Sequence, residues 1–107
     1  MAESEASENE RILAKLESFA KYHPKKGLAY AYLDILKENA NTFIEKAGSC
    51  GYDGMFYHYE GMDSSVHMLT GLEWGENQGE ILHLMVKYED AVVAKAIEAL
   101  KERCGCK

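Results

Sequence analysis

The sequence predicts an α+β domain of two layers, in the order α-α-β-β-β-α: a helical hairpin and a C-terminal helix packed on one face of a three-stranded antiparallel sheet. Three observations predict it. Before Gly48 the apolar residues recur at spacings of three and four. After it they alternate in three short runs, and spacers rich in Gly, Asp, Asn and Ser separate those runs.

In the first stretch, Ser7 suits an N-cap, with Glu8 and Glu10 where a helix dipole favours negative charge. Ile12, Leu13, Leu16, Phe19 and Ala20 form one stripe, and Pro24 ends the helix near Tyr22. A second helix runs over 26–47, with Ala29, Tyr32, Leu33, Leu36, Ala40, Phe43, Ile44 and Ala47 as its stripe and Gly48 as a left-handed C-cap. Strands are expected at 54–60, 65–74 and 80–88, joined by Gly61-Met62-Asp63-Ser64 and by Gly75-Glu76-Asn77-Gln78-Gly79. In the simplest register Tyr59 opposes Val66, Tyr57 opposes Met68, Leu72 opposes Leu82 and Thr70 opposes Leu84, which gathers the apolar runs on one face. Asp90 would cap a last helix carrying Val92, Val93, Ala96, Ile97 and Leu100. The alternative is an all-α four-helix bundle. Ile81, Met85, Tyr88, Val92, Ala96 and Ala99 also fit helical spacing over 79–103, against which stand Gly71, Gly75 and Gly79.

At 107 residues the chain is one domain, 1–107, with 1–7 and 104–107 expected at its mobile margins. Twelve Lys and Arg against 18 Asp and Glu leave a net charge of −6, which speaks against nucleic-acid binding. No Lys or Arg falls between Lys46 and Lys87, so that half carries a negative potential suited to a cation or a basic partner. No apolar run is long enough to span a membrane. The acidic start, Met1-Ala2-Glu3-Ser4-Glu5, lacks a signal-peptide pattern, so a cytoplasmic location and reduced cysteines are expected.

The outer face of the expected sheet would carry Phe56, His58, His67, Leu69, Ile81, His83 and Met85, an apolar patch ringed by imidazoles. This makes the first functional expectation a non-enzymatic interaction protein that forms a homodimer sheet-to-sheet, with a pH-sensitive interface, or binds a basic protein partner. The second is a metal- or redox-responsive protein. No cofactor is required, but opposed His58 and His67, with Glu60 or Met85 as a further donor, would suit Zn²⁺ or Cu²⁺. Cys50, Cys104 and Cys106 would come near one end of the sheet, as inert thiols or as a thiolate site for Zn²⁺, Cu(I) or redox cycling. A third expectation is a small enzyme pairing Glu60 or Glu73 with His58 or His67 as acid and base. No catalytic motif is present to support it, and no catalytic residue is assigned. The run His67-Met68-Leu69-Thr70-Gly71 is similar to the His-x-Leu-Lys-Gly helix of histidine phosphotransfer domains, with Thr70 in place of the lysine. That match spans five residues and needs the all-α alternative, so no family is assigned on it.

Overall fold

Tyr52 opens a helix, not a strand. The computed structural model describes residues 2–104, with side chains from Glu8 onward, and no strand occurs among them. Helix α1 spans Ala2–Lys21, α2 Lys26–Gly48, α3 Tyr52–Thr70 and α4 Gln78–Arg103, with a single 3₁₀ turn at Gly75–Asn77 before α4. The two-layer α+β architecture and its antiparallel sheet are therefore incorrect, and the fold is an all-α four-helix bundle. The expected strands at 54–60, 65–74 and 80–88 lie in α3, in the connection after it and in α4.

The reason is visible in the packing. Met62, Ser65 and Leu69 are the buried positions of α3, and Ile81, Leu84, Met85, Tyr88, Val92 and Ala96 those of α4, all at spacings of three or four. In the first alternating run Met55, Tyr57, His58 and Tyr59 predominate, which tolerate a half-exposed helix flank as readily as a strand. Gly54 and Gly61, which look like breakers, are contact residues instead. A Cβ on Gly54 would stand 3.0 Å from Lys46 Cδ, and one on Gly61 would stand 2.5 Å from Asn39 Oδ1. Each glycine costs about 1 kcal/mol of helix propensity, but lets α2 and α3 approach closely. The expected first loop is helix too: Ser65 is buried and its hydroxyl donates to the Gly61 carbonyl at 3.0 Å.

The helix ends also differ in detail. α1 begins at Ala2, so Ser7 lies within it. Asp90 sits inside α4 and caps nothing. α2 runs one residue further than expected, through Gly48, and its left-handed position falls two residues beyond that glycine. Ser49 is the C-cap and Cys50, at φ 62°, takes the left-handed position. The amide of Gly51 donates to the Lys46 carbonyl at 2.8 Å and that of Cys50 to the Ala47 carbonyl at 3.2 Å, the bond pair of a Schellman motif.

α2 is the central element, packed closely along α3 and also against α4 and α1. Its buried face, Ala29, Leu33, Leu36, Ala40, Phe43 and Ala47, joins Ile12, Leu16 and Ala20 of α1 and the buried face of α4 in one apolar core. The thinnest dimension, 19 Å, is that of two helix layers. The one large turn, 71–77, is held from both sides. Gln78 Oε1 accepts the Trp74 amide at 2.7 Å while its Nε2 donates to the Thr70 carbonyl at 3.2 Å. The Trp74 indole N–H donates to the Leu69 carbonyl at 2.7 Å.

Candidate functional site

With no sheet face, the expected patch is divided. Leu69, Ile81 and Met85 are buried in the core, where no partner touches them. Phe56, His67 and His83 are exposed, and His58 is half-buried. The sheet-to-sheet homodimer loses its surface for the same reason. His58 and His67 lie nine residues apart on α3, which turns them to opposite sides of the helix and separates them by about 13 Å along its axis. His58 Nδ1–H donates to Asn39 Oδ1 at 3.0 Å, and Asn39 Nδ2 donates to the Ile35 carbonyl at 2.9 Å. His67 instead stands 3.5 Å from Asp63, one turn earlier on the same helix. Glu60 is exposed, and no cluster of three or more His, Cys, Asp or Glu suited to a metal ion occurs among the described residues.

The cysteines come together differently from the expected thiols. Cys50 and Cys104 form a disulfide, 54 residues apart in sequence and 5.7 Å apart at Cα, because the end of α4 returns to the turn between α2 and α3. Cys106 lies outside the described residues.

Two surface features of the described residues combine apolar or aromatic side chains with carboxylates. One is a cleft of about 550 Å³ lined by Phe19, Tyr22, His23, Glu73, Trp74 and Asn77. Both nitrogens of His23 are engaged there. Nε2–H donates to the carbonyls of Leu72 at 3.1 Å and Glu73 at 2.9 Å, and Nδ1 accepts the Lys25 amide at 2.9 Å. The cleft thus offers aromatic surface and one carboxylate, but no imidazole free to act as a base. His23 is absent from the sequence reading because its carbonyl partners are 49 and 50 residues away, and no local pattern marks them.

The other feature is the seam between α3 and α4. Leu82, Val86, Glu89, Val93 and Ile97 follow one another on α4 at spacings of three and four, beside its buried face. Tyr52, Phe56, Tyr59 and Asp63 do the same on α3. Asp63 and Glu89 lie close enough for their carboxyl groups to interact, which sets the two lines facing each other. Yet the helices pack only lightly together, and the open strip between the two lines is called the α3–α4 groove. Its walls are open: Phe56 is 65% exposed, Val86 52%, Ile97 47% and Leu82 43%. Half-buried Met55, Val66 and Val93 lie deeper, and Tyr59 leans on Phe43 of α2 with ring centroids 5.7 Å apart.

Acidic groups stand midway along this groove. Burial pushes the Glu89 carboxyl above its ordinary value. The negative charge of Asp63, the hydrogen bond to Asp63 and the charge of Asp90 add to that, while His67 opposes it. Glu89 Oε2 is sealed from solvent and has no hydrogen-bond partner among the described residues.

No family model, curated protein or solved structure matches this chain. Its chemistry is therefore read from its own surface.

Proposed function

We propose that this chain is a non-enzymatic interaction protein whose α3–α4 groove takes a basic amphipathic segment of a partner protein. The observation that carries the reading is the pair of exposed apolar lines flanking the Asp63–Glu89 carboxyl pair. Apolar side chains at helical spacing on both walls suit the apolar face of a docked helix. A Lys or Arg on that helix would give Glu89 the donor it lacks, and would meet no basic residue between Lys46 and Lys87. Charge favours such a partner over a second copy. A two-fold pairing through the same groove would set Asp63, Glu89 and Asp90 against their own images, in a chain of net charge −6. No helix of the described residues is long and apolar enough to cross a membrane. A cytoplasmic setting goes with this proposal.

The test uses two synthetic amphipathic peptides of equal hydrophobicity, one with Lys and one with Glu flanking the apolar face, titrated calorimetrically into the full chain. The basic peptide is expected to bind and the acidic one not. Val86→Glu removes about 1.5 kcal/mol of apolar contact, a weakening of roughly tenfold. Equal affinity for both peptides, or indifference to Val86→Glu, would refute the reading. A concentration-dependent dimer in light scattering, abolished by Phe56→Glu, would replace it with self-association.

A further inference from the structure

The disulfide stands where the groove ends, and its setting is unusual. Cys50 holds the left-handed position of the Schellman turn after α2, at φ 62°. Any residue with a Cβ is disfavoured there, and glycine is its ordinary occupant. Glycines are at hand on either side, Gly48 and Gly51, yet the strained position holds the cysteine. What a cysteine gains there is reach to Cys104, which directly follows α4. Neither half-cystine belongs to the apolar core, and both are only half-buried, so a small thiol can approach. The reduced form also has a partner waiting. Cys104 Sγ lies 3.3 Å from the Ala47 carbonyl, which would accept a hydrogen bond from the Cys104 thiol once the bond to Cys50 is broken.

We propose that Cys50–Cys104 is a reversible thiol–disulfide site, opened by thiol reductants, that fastens the end of α4 to the turn between α2 and α3. A reductant thiolate attacks one of the two sulfurs, the S–S bond breaks, and a mixed disulfide forms with the other cysteine released as thiolate. A second reductant thiolate attacks the reductant sulfur of that mixed disulfide, forming the reductant disulfide and releasing the remaining cysteine as thiol. The protein disulfide takes up two electrons and two protons, and two reductant thiols become one disulfide. The core stays packed, while the last turn of α4 and the turn 49–51 lose their tie. That opens one end of the α3–α4 groove. The redox step stands without the groove, and only its effect on a docked segment rests on the function proposed above.

The experiment equilibrates the full chain in glutathione buffers of graded ratio, with thiol alkylation and mass spectrometry to identify the bonded pair and hydrogen exchange to map its effect. The expected result is a reversible passage between oxidised and reduced forms with helical circular dichroism retained. Amides in 46–54 and 97–104 should exchange at least about tenfold faster when reduced, and those of the remaining core unchanged. Three results would overturn the site: a bond that resists every glutathione ratio while the chain stays folded, a global loss of helix on reduction, or equal exchange in both forms. The Cys106→Ser variant should behave like the parent. Loss of the oxidised form in it would show that the bond belongs to Cys106. None of these readouts needs a partner, so the peptide titration can fail while this result stands.

Discussion

Replacing His23 with alanine tests how much of the bundle depends on one ring. His23 is the strut between the α1–α2 connection and the turn before α4. Its Nε2–H is shared between two carbonyls, its Nδ1 holds the Lys25 amide, and its ring lies 4.5 Å from that of Trp74 at 59°. The shared donor counts as one bond of about 1 kcal/mol, and the exposed Lys25 contact adds roughly 0.5 kcal/mol. The tilted ring pair adds about 1 kcal/mol. His23→Ala should therefore cost about 2–3 kcal/mol, or roughly 10 °C in Tm for a domain of this size. Trp74 is the single tryptophan and lies against the ring that is removed, so its fluorescence reports urea unfolding directly. His23→Gln, which can still donate toward the two carbonyls, should recover about 1 kcal/mol. A loss under about 0.5 kcal/mol in the alanine variant would show that the strut carries no load and that this reasoning is wrong.

Two further outcomes follow from the geometry. Gly61→Ala gains about 1 kcal/mol of helix propensity, but its Cβ would fall 2.5 Å from Asn39 Oδ1 and displace a side chain that bonds both His58 and the Ile35 carbonyl. A net loss of about 1–2 kcal/mol in urea titrations is expected, partly restored by adding Asn39→Ala; an increase in stability would contradict the close approach. For Glu89, the folded carboxyl binds its proton more tightly than the unfolded one. Its contribution is complete below the ordinary value of 4.5 and is lost as pH rises through the elevated value. Stability of the parent relative to Glu89→Gln should thus fall with rising pH across that window, and a relative rise would reverse the assigned cause.

The first half of this molecule is plain in its sequence. Leu13, Leu16 and Ala20, and then Ala29, Leu33, Leu36 and Phe43, show a helical period that no strand matches, and Pro24 marks the break. The second half misleads for a physical reason. Between 52 and 70 the helix is buried mainly on Met62, Ser65 and Leu69, one of them polar, and its exposed flank carries Tyr52, Phe56 and Tyr57. Apolar density is then nearly the same on both sides of the helix, and short alternating runs appear by default. Glycine adds to this, because a close helix contact and a turn demand the same residue: Gly61 serves the first and Gly75, at φ 62°, the second. α4 is legible once its whole length is read, since Ile81, Met85, Tyr88, Val92 and Ala96 are all buried. The groove is different. Its two lines can be read from spacing only after 52–70 is known to be helical, and the Asp63–Glu89 meeting depends on tertiary packing that no local pattern encodes.

α3 and α4 are joined at both extremities, by the Cys50–Cys104 bridge at one and by the two bonds of Gln78 at the other. They make a closed frame, so a segment docked as proposed would not thread lengthwise and would have to be laid in from the side. The frame also sets a ruler. The 19 residues of α3 span about 28 Å, which would admit roughly five turns of the proposed partner helix before its ends had to bend away.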